Sequence, residues 1–417
     1  MGASSGSAIC APCIIAAGRG ATGGSIWHEP SRSLQTDDTA QSGKPQRAPL
    51  YAKIALLLFA LSMVALTAAG WLWYHGGEDA FRRGYTPLTA EWQIKGAWIA
   101  HPIIGKMLRC DVNASDTNEL GRPFGYKAVR IEPGGGCFRD DGVSGEVFAV
   151  AVGDSFTFGH KVALEKAWTE VLESSLKMDV VNMGLSGGSP SQALRIFETY
   201  GAPLNPKVVI FTTFVNDWLD EACFQAWWAQ RQVLGGQVDF PQSDAIYNAV
   251  RQNAYRLPDD WRQPPLGGSA DCDIDDESYR FDGAAYAEQD TRSPTIDEGR
   301  RQSEKAIVEL RNRANRSGAR LIVVAIPAKE YVYHDRVIKV IPYAVDMPSD
   351  TFCTMTADWC RKNGIECIDM LPILQKRVAA GEKPYFPRDG HFREEGNAML
   401  AGEVGRVLAA EKLTGQK

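Results

Sequence analysis

The chain has 417 residues, of which 44% are hydrophobic and 23% are charged, and these are the proportions of an ordinary globular protein. The length exceeds one average domain and allows a large buried core. The formal charge of -6 is mild for this length and gives no electrostatic basis for binding nucleic acid.

The N-terminal residues differ in composition from the rest of the chain. Residues 1–50 are rich in Gly, Ala, Ser and Thr and have no sustained hydrophobic period, which predicts disorder. An over-extended start site is the alternative for this segment. Cys10 and Cys13 form a C-x-x-C pair here, but no second pair accompanies them to indicate a metal or redox site.

Residues 54–74 form an almost wholly apolar run that is long enough to span a bilayer. Basic residues precede it, and aromatic and then acidic residues end it. The positive-inside rule therefore predicts a single-pass membrane protein with a cytoplasmic N-terminus and a periplasmic or extracellular remainder. A cleaved signal peptide is the alternative, but the run continues past the poor cleavage site at Thr67-Ala68-Ala69, which favours a retained anchor.

Seven of the nine cysteines follow this run, and an exported location permits disulfides. Cys110 with Cys137, and Cys223 with Cys272, are candidate pairs on sequence neighbourhood alone. Because seven is odd, at least one thiol is free or pairs between chains.

The pattern of the remaining residues predicts two parts. Residues 75–145, called the lead-in below, precede an α/β domain over residues 146–417. Strands alternate with helices in this domain, which predicts a parallel sheet of five strands covered on both faces. The predicted strands are 147–152, 179–182, 207–214, 320–326 and 365–369, and the predicted helices are 164–176, 190–200, 297–316, 349–362 and 393–411.

A long stretch over residues 218–294 interrupts this pattern after the third strand, and such a stretch is typical of a functional insertion or a lid. Its tryptophans either line a sugar or acyl site or pack the insertion's own small core, and the sequence leaves both interpretations open. They are Trp218, Trp227, Trp228 and Trp261.

Chemistry-bearing residues follow the carboxyl ends of the predicted strands, where open α/β sheets bind ligands. Ser155 comes directly after the first strand, and Asp389 and His391 come just before the last helix. A serine is a weak nucleophile until a base takes its proton, and a carboxylate orients that base. We therefore expect Ser155 as the nucleophile, His391 as the base and Asp389 as the orienting acid.

Acyl transfer also develops a negative oxygen that needs fixed hydrogen-bond donors. Glycines after the second strand, including Gly187, let the backbone approach a ligand closely. Asn216 follows the third strand with a side-chain amide. Taken singly, each of these residues is equally compatible with an ordinary turn.

Together the four blocks resemble the SGNH (GDSL-type) hydrolase superfamily. Gly153-Asp154-Ser155 matches its first block, Gly187 its second-block glycine, Asn216-Asp217 its third block and Asp389-x-His391 its last. The resemblance implies a flavodoxin-like, doubly wound sheet and the Ser155, His391 and Asp389 triad. It also implies an oxyanion hole formed by the Ser155 N–H, the Gly187 N–H and the Asn216 side chain.

Two positions depart from the usual family pattern. Phe214 stands where the third block usually has glycine, and the last block has one residue rather than two between its Asp and His. The shorter spacing is similar to that of membrane-associated members that resemble polysaccharide O-acetylation proteins. The segments 326–330 and 385–392 also resemble that branch.

Other enzyme classes lack their signatures in this chain. Thr157 stands where the nucleophile elbow of α/β-hydrolases has glycine, and no phosphate-binding loop, zincin helix or dinucleotide fingerprint occurs. We therefore expect neither a cofactor nor a metal.

The prediction is an anchored esterase that forms an acyl-enzyme on Ser155 and hydrolyses O-acyl esters, with O-acetyl groups of exported carbohydrate as the expected substrate. Transfer of the acyl group to a polysaccharide is the first alternative, and it would need an acyl-donor membrane partner in trans. A non-catalytic, anchored glycan-binding module is the second.

Overall fold

The computed structural model describes residues 97–233, 244–254, 269–341 and 351–414. The predicted disordered segment, the predicted membrane anchor at 54–74, the start of the lead-in and Trp261 lie outside these residues. Within the described ranges, none of the helices combines the length and the apolar character needed to cross a membrane.

The strands and helices follow in chain order. The strands are β1 (Trp98–His101), β2 (Gly105–Leu108), β3 (Asn113–Thr117), β4 (Pro123–Lys127), β5 (Val129–Ile131), β6 (Gly136–Phe138), β7 (Val147–Val152), β8 (Asp179–Asn182), β9 (Val208–Thr213), β10 (Ser269–Ile274), β11 (Glu277–Asp282), β12 (Arg320–Ala325) and β13 (Glu366–Asp369). The α-helices are α1 (Ser155–Phe158), α2 (Trp168–Leu176), α3 (Pro190–Ile196), α4 (Asp217–Val233), α5 (Asp244–Ala254), α6 (Ala284–Ala287), α7 (Pro294–Arg316), α8 (Lys329–Val332), α9 (His334–Val340), α10 (Phe352–Lys362), α11 (Met370–Ala379) and α12 (Glu394–Thr414).

Strands β7, β8, β9, β12 and β13 form the central sheet in the spatial order β8-β7-β9-β12-β13, and all pair in parallel. Numbered by sequence, this order is 2-1-3-4-5, the order of flavodoxin-like folds. The prediction of a five-stranded parallel sheet is confirmed. In this order the chain switches direction across the sheet between β7 and β9, which is where such folds bind ligands.

Successive residues of the central strands face opposite sides of the sheet and enter two separate cores. Ala149 and Ala151 of β7 belong to one core, whereas Val150 and Val152 belong to the other. Helices α2, α11 and α12 pack on the first face, and α3, α7 and α10 contribute to the second. Burial on both faces explains why these strands read as continuous apolar runs in the sequence.

The stretch predicted as an insertion begins with a regular helix, because α4 starts four residues after β9 ends. Trp218 and Trp227 on this helix are 4% and 2% exposed. The ring of Trp218 lies 4.9 Å from that of Phe352, and the ring of Trp227 lies 5.4 Å from that of Phe224. For these two tryptophans the structure favours the packing interpretation over a ligand-lining one.

The described part of the lead-in forms three two-stranded antiparallel sheets: β1 with β2, β3 with β4 and β5 with β6. A disulfide joins Cys110, just after β2, to Cys137 on β6, as predicted. The second candidate pair is wrong, because Cys223 and Cys272 are free thiols. Cys223 lies on α4 with its side chain buried in the core, whereas Cys272 lies partly exposed on β10. Neighbourhood in the sequence therefore does not bring these two thiols together.

The disulfide is expected to stabilise the lead-in by restricting the unfolded chain. It closes a loop with a sequence separation of 27 residues. Replacing Cys110 by Ser and Cys137 by Ala should therefore lower the free energy of unfolding by about 3 kcal/mol, measured by denaturant titration. Cys272→Ser, which removes a free thiol, is the matched control. Equal stability of the double variant and the control would contradict this role.

Candidate active site

Ser155 is the first residue of α1, three residues after the end of β7. Asp154 caps the helix by accepting a hydrogen bond from the Phe156 N–H at 2.9 Å. Gly153 precedes it with a φ of 152°, and a Cβ there would lie 2.4 Å from the Thr212 hydroxyl of the neighbouring strand β9. Only glycine allows this turn so close to β9, so the first motif block has a steric cause.

His391 and Asp389 lie in the loop before α12 and reach Ser155 across the edge of the sheet. His391 Nε2 lies 2.7 Å from Ser155 Oγ, and His391 Nδ1 lies 2.5 Å from Asp389 Oδ1. Because an ionised carboxylate only accepts hydrogen bonds, Nδ1 carries the proton and Nε2 is left to accept one from the serine hydroxyl. The structure therefore brings together the three residues expected from the sequence, in the geometry that a nucleophilic serine requires.

Aromatic rings hold the imidazole of His391 in place. Its ring centroid lies 5.2 Å from that of Phe156 and 4.4 Å from that of His160. Phe214 packs on Phe156 at 4.6 Å. Phe214, which stands where the third block usually has glycine, therefore supports Phe156 in its contact with the imidazole of His391.

Two lysines surround Asp389. The Lys161 ammonium lies 2.6 Å from Asp389 Oδ2, the oxygen that His391 leaves unoccupied. The buried Lys329 ammonium donates to the backbone carbonyls of Asp389, at 2.9 Å, and Pro387, at 3.1 Å. Burial alone would raise the pKa of Asp389, but His391 and Lys161 hold that pKa well below its ordinary value. Asp389 is therefore a fixed negative charge.

The candidate oxyanion-hole residues lie in the loops that follow β8 and β9, the two strands flanking β7. Gly187 has a left-handed backbone with a φ of 59°, and a Cβ there would lie 3.5 Å from the Lys106 ammonium. The Asn216 side-chain amide donates to Asp220 Oδ2 at 3.0 Å. Within the described residues neither Gly187 nor Asn216 hydrogen-bonds to Ser155 itself, so their roles as donors remain a prediction.

The loop after β8 approaches α1 closely. A Cβ on Gly184 would lie 2.2 Å from the backbone nitrogen of Phe158, and the Leu185 N–H donates to the Gly153 carbonyl at 2.9 Å. This contact fixes the second-block loop against the turn that carries Ser155.

Three buried carboxyl groups lie beneath the site. Burial raises the pKa of Asp154 to about 6 and the pKa values of Asp217 and Asp220 well above their ordinary range. Asp217 accepts hydrogen bonds from the Thr213 hydroxyl at 2.7 Å and the Phe214 N–H at 3.2 Å. The raised pKa values of Asp217 and Asp220 favour their neutral forms, which limits the negative charge next to a site where an oxyanion would form.

One group of possible metal ligands coincides with the triad, because ligand atoms of His160, Asp389 and His391 lie within 4.8 Å of one another. Both oxygens of Asp389 are already engaged, one by His391 and one by the Lys161 ammonium. A second group comprises Asp141, Glu170 and Glu173, and it includes none of the triad residues. The triad geometry fits proton transfer better than metal binding.

The lead-in contributes to the site through a residue that the sequence did not single out. Arg139 is 1% exposed and donates to the carbonyls of Phe158 and Gly159 at 2.9 Å and of Val162 at 2.6 Å. It therefore fixes the segment directly after α1. Burial lowers the pKa of Arg139 to about 10, so the side chain stays charged at neutral pH.

Sequence reasoning also missed the roles of His160, Lys161 and Lys329. His160 follows the first motif block closely, but no acid stands beside it in the sequence to indicate a role. Lys329 lies in one of the two segments that carried the resemblance to O-acetylation proteins. All three residues lie close to a motif, and this nearness could have indicated a role. The two lysines gave no further indication, because a lysine is normally a solvated surface residue.

Comparison with known families agrees with these motifs. Residues 286–417 match the family described as the SGNH hydrolase-like domain of the acetyltransferase AlgX. The matched part contains β12, β13, Asp389 and His391, whereas Ser155, Gly187 and Asn216 lie outside it. No curated protein matches the chain.

Solved structures with similarity to the chain include a lipolytic protein of the G-D-S-L family from Desulfitobacterium hafniense, with 14% identity, a TM-score of 0.33 and coverage of 63% of this chain and 99% of that one. An acetylxylan esterase from Geobacillus stearothermophilus, solved as a catalytic mutant, has 12% identity, a TM-score of 0.34 and coverage of 63% and 94%. A lipase/acylhydrolase from Enterococcus faecalis has 13% identity, a TM-score of 0.32 and coverage of 64% and 97%.

The match over residues 286–417 supports the SGNH hydrolase superfamily, and the four motif blocks and the order of the sheet agree with it.

Proposed function

We propose that the chain is a serine esterase that removes O-acetyl groups from exported carbohydrate through an acyl-enzyme on Ser155. The observation that carries this proposal is the continuous path from Ser155 Oγ through the imidazole of His391 to Asp389. A serine hydroxyl within 2.7 Å of a base that is itself oriented by a carboxylate is an activated nucleophile.

The reaction follows from this geometry in two halves. His391 takes the proton of Ser155 as the serine oxygen attacks the ester carbon, and the carbonyl oxygen becomes an anion. The N–H groups of Ser155 and Gly187 and the amide of Asn216 would stabilise that anion. The bond to the sugar oxygen then breaks, and His391 returns its proton to the departing alcohol.

The second half regenerates the enzyme. Water attacks the acyl-serine as His391 takes one of its protons, and acetate leaves when Ser155 recovers its proton from His391. The negative charge of Asp389 stabilises the imidazolium that forms in both halves. No cofactor is needed at any step.

A disulfide, a predicted anchor and the family match support the proposed location and substrate. The Cys110–Cys137 disulfide is typical of a compartment outside the cytoplasm. The predicted anchor at residues 54–74 would keep the domain at the membrane surface, where exported glycans pass. The family matched by residues 286–417 carries the name of an acetyltransferase, which supports an acetyl rather than a longer acyl group.

Transfer of the acetyl group to a polysaccharide hydroxyl is the second candidate, and the same family description favours it. The first half of the reaction is unchanged, and a sugar hydroxyl replaces water in the second half. Such a transferase would need an acetyl donor, supplied by a membrane partner in trans. A non-catalytic glycan-binding module would have no use for the activated serine, which counts against that alternative.

Replacing Ser155 by Ala should lower kcat/KM for p-nitrophenyl acetate by about three orders of magnitude or more, because the nucleophile is lost. Hydrolysis by the full chain, produced in an oxidising compartment, is followed by release of nitrophenolate. Ser303→Ala is the matched control, since Ser303 is equally buried and its hydroxyl has no hydrogen-bond partner in the described structure. Turnover that survives in Ser155→Ala would exclude the proposed nucleophile.

An added acceptor separates hydrolysis from transfer. With an acetylated methyl glycoside as donor and an oligosaccharide as acceptor, the esterase should release acetate at an unchanged rate. Acetyl groups that appear on the oligosaccharide, with acetate release suppressed, would show a transferase instead.

Replacing Asn216 by Ala should lower kcat by about two to three orders of magnitude and leave KM nearly unchanged, because an oxyanion donor acts mainly in the transition state. Steady-state kinetics on the same ester measures both parameters. Asn312→Ala, on α7, controls for loss of an amide elsewhere. An unchanged kcat in Asn216→Ala would remove Asn216 from the oxyanion hole.

A further inference from the structure

The carboxylate of Asp389 is shared between two cationic or potentially cationic partners. His391 Nδ1 lies 2.5 Å from Asp389 Oδ1, and the Lys161 ammonium lies 2.6 Å from Asp389 Oδ2. The side chains of Lys161 and Asp389 are only 16% and 11% exposed. The contact is therefore partly desolvated, unlike a surface ion pair, and water screens it weakly.

The position of Lys161 is fixed by its backbone and its neighbours. It has a φ of 59°, in the left-handed region that non-glycine residues rarely adopt. Its carbonyl accepts a hydrogen bond from the Asn118 side chain at 3.1 Å, and its N–H donates to the Tyr126 hydroxyl at 3.4 Å. Arg139 holds the carbonyls on either side of this segment. The fold thus holds Lys161 in one place from several directions.

The lysine charge opposes protonation of the histidine. An ammonium on the far oxygen of Asp389 repels an imidazolium formed on the near side, and it neutralises part of the negative charge that would stabilise that imidazolium. Other charged or titratable groups also face the triad. They are Asp154 before α1, His160 after α1, Glu119 between β3 and β4, and Lys329 at the start of α8.

These other groups do not duplicate the contact of Lys161. Lys329 binds the backbone carbonyl of Asp389 and not its carboxylate. Burial and the neighbouring His391 keep the pKa of His160 well below its ordinary value, so His160 stays neutral. Within the described structure, Lys161 is the lysine that contacts the carboxylate directly.

We propose that Lys161 is a positioning residue of the triad, which holds the carboxylate of Asp389 in register with His391 and keeps His391 unprotonated to lower pH. The ammonium thereby widens the acidic range in which the serine can be activated. This inference deepens the proposed function and rests on it, because the histidine matters only if it acts as the base. It assigns no contact with substrate to the lysine.

The pH dependence of kcat/KM tests the proposal, since its acidic limb reports protonation of the base in the free enzyme. Lys161→Gln keeps an N–H donor for Asp389 but removes the charge, and Lys161→Arg keeps the charge. The acidic limb of Lys161→Gln should move to higher pH by about one unit, whereas that of Lys161→Arg should stay near the parent. Lys207→Met, which removes an exposed lysine, is the control.

A lysine with only a structural role would lower kcat without moving the limb. An acidic limb that is unmoved, or displaced to lower pH, in a folded Lys161→Gln protein would therefore overturn the proposal. If Lys161→Gln does not fold, Lys161→Met supplies the uncharged variant.

A second readout separates this proposal from the proposed function. NMR titration of the His391 imidazole follows its protonation without any turnover. If the parent hydrolyses no ester, the proposed function fails, yet the titration still decides whether the charge of Lys161 opposes protonation of His391. A midpoint that is the same in the parent and in Lys161→Gln would contradict the inference even in an inactive protein.

Discussion

The hydrogen bond between His391 Nε2 and Ser155 Oγ is the interaction on which the rest of the site depends. It joins residues 236 positions apart, and the sheet makes this possible by bringing the loop after β7 and the loop before α12 to the same edge. Each partner is also fixed by contacts of its own. Gly153 lets the chain turn tightly against β9, and Asp389 holds the histidine ring from behind.

The lead-in is part of this arrangement rather than a spacer. Arg139 and Tyr126 precede the central sheet in the sequence, yet they hydrogen-bond to the segment that contains His160 and Lys161. The Cys110–Cys137 disulfide constrains the same region. The site therefore combines a nucleophile and a base supplied by the α/β domain with a support supplied by the strands that precede it.

The sequence predicted the central sheet well because its strands are buried on both faces and read as unbroken apolar runs. The bounds of β7 and β8 match the predicted ones, and β9, β12 and β13 differ by one or two residues. The small sheets of the lead-in and helix α4 were missed. Strands β3 and β10 alternate partly buried with exposed residues and contain few large apolar side chains, so they lack a strong strand pattern. Helix α4 was not predicted, because its tryptophans and the long Gly- and Pro-containing stretch after it were interpreted together as one irregular insertion.

The triad could be predicted because its residues fall in motif blocks after consecutive strands. Lys161 and Arg139 could not, since their roles depend on contacts between distant parts of the chain and on burial of charged side chains, which residue type alone argues against. The Cys223 and Cys272 pair failed for a related reason, because sequence neighbourhood does not measure distance in space.

The central claim is that Ser155 is the activated nucleophile, and covalent labelling with a fluorophosphonate tests it most directly. The serine oxygen should displace fluoride and form one stable phosphonyl ester, which mass spectrometry of the digested full chain can locate. The account predicts a single adduct on Ser155 that does not form in acid-denatured protein. An adduct on another residue, or esterase activity that persists with Ser155 unmodified, would contradict it.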